Sequence, residues 1–247
     1  MSDATLLLHL FHSFAKVMYQ SIFIDLDDTV WAFAENARDT FQNMYEQYHF
    51  GQHFRSFAHF YALYEAENTR LWAAYGEGRI TKDELNERRF SYPLRQVGAY
   101  DEAVVRAYSA QFFREIVYKR KVMPHVREAL DYLASRYDLY ILSNGFRELQ
   151  ERKMVSAGVD GYFKGIILSE DVGVHKPYPA IFQYALQVAG AEPASALMIG
   201  DSWENDVVGA CRAGWQQVYY AWKGLPSSLP FQPTHVMTDW REVKSFL

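Results

Sequence analysis

The chain has 247 residues, 49% of them hydrophobic and 22% charged, with a formal net charge of −5. A chain of this length buries roughly 70–75% of its unfolded surface, so one large or two small domains fit and core is not limiting. The acidic balance leaves no basic footprint for a nucleic-acid polymer, no apolar run reaches the roughly 18 residues of a membrane span, and the single cysteine, Cys211, cannot form an internal disulfide, which fits a reducing, cytoplasmic setting. Its small apolar neighbours predict that Cys211 is a buried small hydrophobe and not a nucleophile.

In chain order, Leu6–Phe11 is the nearest approach to a targeting signal, but Asp3 stands where a positive charge belongs and no small-residue cleavage site follows. Residues 1–17 are expected to be an extension outside the main fold, with Met18 as an alternative start. The stretch Ile22-Phe23-Ile24-Asp25-Leu26-Asp27-Asp28-Thr29-Val30 then reads as a buried strand that ends in three carboxylates. A solvated strand end or a helix N-cap is the plain alternative for such aspartates.

From about Ala34 to Glu115 the spacing of Phe41, Met44, Tyr45, Phe57, Phe60, Tyr61, Tyr64 and their neighbours is helical. Gly76-Glu77-Gly78 breaks this block, Thr81 to Glu84 restarts it as a capping box, and Pro93 with Gly98 predicts a further turn. An insert of this length exceeds a crossover and reads as a second domain, 34–115, set into a core of 18–33 and 116–247. Its aromatics are read mainly as helix–helix core, with some side chains facing a ligand.

The strand pattern returns three times. Asp138–Leu142 delivers Ser143-Asn144-Gly145, Gly165–Leu168 leads to Ser169-Glu170-Asp171 and Lys176-Pro177, and Ala196–Ile199 delivers Gly200-Asp201-Ser202 with Asn205-Asp206 behind. Helices are expected at Pro124–Arg136, Arg147–Ala157, Pro179–Ala189 and Asn205–Ala213, closed in three cases by Gly158, Gly190 and Gly214. Gln217–Ala221 and His235–Met237 read as the last strands. Strands alternating with helices predict a parallel α/β sheet, which binds ligands beyond the carboxyl ends of its strands.

If Asp25, Asp27, Asp201 and Asp206 converge, they need a counter-charge, since two like charges 4 Å apart cost about 4 kcal/mol at an effective dielectric of 20. Hard oxygen donors select Mg²⁺ or Ca²⁺, and Mg²⁺ pairs with one or two carboxylates plus a substrate phosphate. A zinc site is not expected: His49 and His53 flank Gly51 within the insert, and Cys211 stands alone. With Lys176 opposite the acids, the natural ligand is a small phosphate monoester. Asp25 would be nucleophile and Asp27 general acid and base, with Lys176, Ser143 and the metal holding phosphoryl oxygens.

Asp25-Leu26-Asp27-Asp28-Thr29, Ser143-Asn144-Gly145, Lys176-Pro177 and Gly200-Asp201-Ser202-Trp203-Glu204-Asn205-Asp206 resemble the four ordered motifs of the haloacid dehalogenase superfamily. Asn144–Gln150 and Ser169–Pro177 are similar to its pyrimidine 5′-nucleotidase branch, the YjjG/YfnB type. The resemblance implies a Rossmann-like core with a parallel sheet flanked by helices, plus an all-helical C1-type cap. It implies a Mg²⁺-dependent phosphatase with an aspartyl-phosphate intermediate, acting on pyrimidine nucleoside monophosphates, as a monomer or homodimer.

The implied roles are Asp25 as nucleophile and metal ligand, Asp27 as acid/base and metal ligand through its carbonyl, and Asp201 as metal ligand. Ser143, Asn144, Thr29 and Lys176 would bind phosphate, with Asp206 and Glu170 behind them. The alternatives are a phosphatase of phosphoglycolate or a sugar phosphate, a phosphosugar mutase, a dehalogenase that needs neither metal nor a general acid, and a non-catalytic binding protein.

Overall fold

A computed structural model describes residues 19–247; the extension expected over 1–17 and the Met18 start lie outside the described residues. Six parallel strands, β1 Ser21–Ile24, β2 Asp138–Ser143, β3 Gly165–Leu168, β4 Ala196–Gly200, β5 Gln216–Tyr220 and β6 His235–Met237, pair in the order β3-β2-β1-β4-β5-β6. In the central β1, Ile22 stands between Leu139 and Leu197. Successive side chains of a strand point to opposite faces, so β1 serves two cores. Ile22 and Ile24 join Leu139, Ile141, Leu197 and Ile199 on one face, while Phe23 joins Tyr140, Leu142, Met198 and Trp215 on the other. Burial on both faces explains why these strands are unbroken apolar runs.

Helices α1 Phe33–Gln47, α2 Phe57–Gly76, α3 Lys82–Gln96 and α4 Glu102–Ile116 occupy the interval between β1 and β2. The capping box forms as read: Glu84 N donates to Thr81 Oγ1 at 3.2 Å and Thr81 N donates to Glu84 Oε2 at 2.7 Å. Most of the insert's aromatics are core. The fully buried Phe41 ring lies 4.2 Å from that of Tyr64 and 4.5 Å from that of Phe112. Pro93 departs from expectation, because it lies inside α3 and is buried there. Packing of α3 against α2 and α4 outweighs the one backbone bond that proline forgoes, and Gly98, at φ 69°, takes the turn instead.

The chain leaving β1 and the chain returning from α4 are tied together. Trp31 Nε1 donates to Lys119 O at 3.2 Å, Ala32 N donates to Lys121 O at 3.2 Å and Met123 N donates to Val30 O at 2.9 Å. Beyond them come α5 Val126–Ala134, α6 Arg147–Ala157, α7 Ser169–Val172, α8 Pro179–Ala189 and α9 Gly209–Arg212. The ends of α6 and α8 at Gly158 and Gly190 are as read. α5 begins at Val126 and not at Pro124, because His125 has φ 62°, outside the right-handed helical region.

The helix expected over Asn205–Ala213 is instead a π-helical turn, Trp203–Val208, followed by α9. Val207 N donates five residues back to Ser202 O at 3.3 Å, and Asp206 folds back to accept from Ser202 N at 3.0 Å. Cys211 is exposed on α9, contrary to the expectation of burial. Removing the Phe41 ring should leave a cavity at the centre of the insert. Urea unfolding of Phe41→Ala is expected to show a loss of about 3–5 kcal/mol; a loss below about 1 kcal/mol would mean the ring does not belong to that core.

Candidate active site

Parallel strands deliver their carboxyl ends to one edge, and the residues after β1, β2 and β4 meet there, where the strand order turns about β1 and β4. Asp25 N donates to Ile199 O at 2.9 Å, which sets the first aspartate against the end of β4. None of the three acids is the N-cap of α1, which is Ala32, but Asp28 Oδ1 accepts from Ala34 N at 2.8 Å in the first turn of that helix. Its φ of 59° turns the chain sharply, and Asp25 and Asp27 are left facing a common cavity.

Lys176 organises the acids. Its buried Nζ donates to Asp25 Oδ1 at 2.7 Å, Asp206 Oδ1 at 2.6 Å and Leu142 O at 2.7 Å. Asp206 Oδ2 accepts from Ser202 N, so both its oxygens are engaged. A methyl group at Gly200 would overlap the Asp206 carboxylate, which is why a glycine precedes Asp201. Asp201 accepts from Trp222 Nε1 at 3.3 Å, and its N–H donates to Thr29 Oγ1 at 3.1 Å.

Carboxylate oxygens of Asp25, Asp201 and Asp206 all lie within 4.8 Å of one another. Burial opposes the charge on Lys176, but Asp206 and Asp25 outweigh it and hold the ammonium above its ordinary range. Burial also pushes Asp25 well up; Lys176 pulls it down, and Asp206 and Asp201 push it up again. These directions conflict only if the pair is isolated. Three carboxylates share one ammonium, so Lys176 stays charged while the acids compete for positive charge. Asp201 is raised to about 7 by burial, then by Asp206 and Asp28.

Three carboxylates face one ammonium, so their formal negative charge is not balanced. Hard oxygen donors carrying that excess suit a divalent cation of the magnesium or calcium type. With Asp206 spent on Lys176 and Ser202, Asp25 and Asp201 are the side chains available to it.

The other expected residues divide. Asp27 lines the cavity beside Asp25 but is not part of the carboxylate cluster. Ser143 Oγ accepts from Gly145 N at 3.2 Å and from Gln150 Nε2 at 2.8 Å, which leaves its O–H to donate. Thr29 is fully buried and bonded to Asp201, so it braces the loop and does not reach for phosphate. Both ends of the Asn144 amide are spent on Lys176, accepting from its N–H at 2.8 Å and donating to its carbonyl at 3.0 Å; Asn144 thus orients the lysine segment. Glu170 stands apart from the Lys176 network, accepting from Lys82 Nζ at 3.0 Å and Arg147 N at 2.8 Å where the insert meets the sheet.

Two residues on α6 have no role in the sequence reading: Lys153, and Gln150 at the end of the Asn144–Gln150 stretch, both buried and both bonded to Asp27. A polar pair three apart, on a helix face shared with Met154 and Ala157, was the available signal.

The cavity measures about 790 Å³, within the range of small-molecule sites. Its floor is the strand-end cluster, and Asn68, Trp72 and Glu77 of the α2 region form part of its wall.

Fold and site together define an α/β enzyme built on strand-end aspartates beneath a helical insert. Residues 19–214 match the haloacid dehalogenase-like hydrolase family, and the chain belongs to it. It is 34% identical over 199 residues to the pyrimidine 5′-nucleotidase YjjG of Escherichia coli, covering 78% of this chain and 82% of that protein. It is 29% identical over 198 residues to the HAD-hydrolase YfnB of Bacillus subtilis, covering 79% and 81%. A crystal structure of YfnB bound to magnesium superposes with a TM-score of 0.80 at 26% identity, covering 92% of this chain and 98% of that one. A phosphoserine phosphatase of Thermus thermophilus is 34% identical over 183 residues, covering 70% and 71%.

Asp201 gives the site a pH signature. Its folded-state carboxyl holds a proton to about 7 against an ordinary 3.8, so its contribution to stability is present at low pH and lost as pH rises through about 7. In chelator, the Tm of the wild type should fall between about pH 4 and 7 relative to Asp201→Asn and level off above that, and Mg²⁺ should restore it at the upper end. Parallel Tm profiles for the two proteins would contradict this assignment.

Proposed function

We propose that this hydrolase is a Mg²⁺-dependent phosphoric monoester hydrolase, a phosphatase acting through an aspartyl-phosphate, with pyrimidine nucleoside 5′-monophosphates as its substrates. The observation that carries the reading is Asp25: a buried carboxylate with one oxygen fixed by Lys176 at 2.7 Å, at the floor of a cavity it shares with Asp27, Ser143 and Asp201.

The Asp25 carboxylate attacks phosphorus, the bond from phosphorus to the ester oxygen breaks, and the leaving oxygen takes a proton from the Asp27 carboxyl. Asp27, now a carboxylate, then takes a proton from the water that attacks the aspartyl-phosphate and returns Asp25. Lys176 fixes the unreacting Asp25 oxygen and offsets charge on the transferred group, and the Ser143 O–H donates to a phosphoryl oxygen. Asn144 holds the Lys176 backbone, and Asp206 holds its ammonium. A magnesium ion, held by Asp25, Asp201 and the Asp27 backbone carbonyl, would supply the remaining positive charge for the phosphoryl oxygens.

The leaving-group assignment is supported by the YjjG relative and by a cavity of about 790 Å³, which is larger than a phosphate alone requires. The equally identical phosphoserine phosphatase supports a second reading, a small amino-acid phosphate. Phosphate release is expected only with Mg²⁺ present, and Asp25→Asn should abolish it. UMP, dUMP and dTMP should exceed phosphoserine, phosphoglycolate and sugar phosphates in kcat/KM; the reverse order would transfer the assignment to the second reading. Chloride release from a 2-haloacid without metal would overturn both.

A further inference from the structure

Asp27 is held from behind. Lys153 Nζ donates to Asp27 Oδ1 at 2.8 Å and Oδ2 at 3.2 Å, and Gln150 Nε2 donates to Asp27 Oδ2 at 2.9 Å. The two side chains also clasp each other, since Lys153 Nζ donates to Gln150 Oε1 at 2.8 Å. That contact fixes the amide's orientation, because the reverse would set an NH₂ group against an ammonium. Gln150 is fully buried and Lys153 is 3% exposed. The ammonium lies 4.7 Å from the Trp31 ring centroid and 5.4 Å from that of Phe33.

A buried lysine on the apolar face of a helix is an expensive way to fill space. Taking an ammonium out of water costs several kcal/mol, and a hydrophobic side chain of similar volume does the packing without that cost. Among the described residues, Asp27 is the one carboxylate that Lys153 pairs with. Gln150 is equally committed, for its two amide hydrogens go to Asp27 Oδ2 and to Ser143 Oγ. The surrounding chain makes room for this: a methyl at Gly145 would overlap the Gln150 amide, so the third residue of Ser143-Asn144-Gly145 has to be a glycine for Gln150 to pass.

We propose that Lys153 and Gln150 are positioning residues that act through Asp27, holding its carboxyl toward the leaving oxygen and, through the shared amide, fixing its placement relative to the Ser143 hydroxyl. This role rests on the phosphatase reading. The pair neither touches the substrate nor takes part in the proton transfers, in which the Asp27 carboxyl gives its proton to the leaving oxygen and then takes one from water.

Protonation of the leaving oxygen matters for an alkyl ester such as a nucleotide and little for 4-nitrophenyl phosphate, whose phenolate departs unaided. kcat/KM for both esters extends only through the first phosphoryl transfer, so the two can be compared directly. General acid catalysis contributes about 10²–10⁴-fold. Lys153→Met is therefore expected to lower kcat/KM for UMP at least about tenfold further than for 4-nitrophenyl phosphate.

In an Asp27→Asn background the same substitution should cost nothing more on UMP, as two residues acting as one unit are not additive. Gln150→Met carries the same test should Lys153→Met fail to fold. Equal losses on the two esters, or full additivity with Asp27→Asn, would overturn the positioning role and leave the phosphatase reading standing. A wild type that cleaves neither ester would overturn the reading and this role with it.

Discussion

The buried ammonium of Lys176 is the interaction on which the site depends. It bridges Asp25 after β1 and Asp206 after β4, and it bonds the carbonyl of Leu142 in β2. One side chain thus ties together the ends of three adjacent strands. Breaking such a buried pair typically costs about 3–5 kcal/mol, because the partner left behind is an uncompensated charge. The same ammonium limits what the acids can do. It neutralises one of three carboxylates, and the negative excess that remains is what a divalent cation would offset. The fold tolerates this charge because the sheet buries both faces of β1, β2 and β4 in apolar cores, so the strand ends are rigid where the charges meet.

Much of this was legible in the sequence, for a reason particular to parallel sheets. Strands buried on both faces are continuous apolar runs, and their ligands gather where the runs end. The positions of Asp25, Asp27, Ser143, Asp201 and Asp206 therefore mark the site before any coordinates are known. Helix ends were equally plain where a glycine in the left-handed region closes them, as at Gly158 and Gly190.

What failed to show was decided by tertiary packing. Pro93 reads as a turn, yet burial between neighbouring helices carries α3 through it. The π-helical turn at Trp203–Val208 accompanies the return of Asp206 to Ser202, a constraint absent from helix periodicity. Asn144 and Thr29 carry groups that could bind phosphate, but their bonds to Lys176 and Asp201 show that they hold the residues beside them. Gln150 and Lys153 were hidden because a lysine in a helix is by default an exposed one.

The wall of the cavity is joined to its floor by Phe146, which follows Ser143-Asn144-Gly145 directly. Its buried ring lies 5.2 Å from that of Trp72 on α2 and packs with Leu71 of α2 and Leu85 of α3. Lys82 at the start of α3 sits 4.0 Å over the same ring and pairs with Glu148 at 2.8 Å and Glu170 at 3.0 Å. The loop that carries the Ser143 hydroxyl is therefore also the loop on which the insert rests. Phe146 and Ser143 are three residues apart, and Gln150, one helical turn beyond Phe146, bonds both Ser143 and Asp27. Trp72 also lines the cavity, so the α2 wall and Asp27 stand at the two ends of one short chain of packed and hydrogen-bonded side chains.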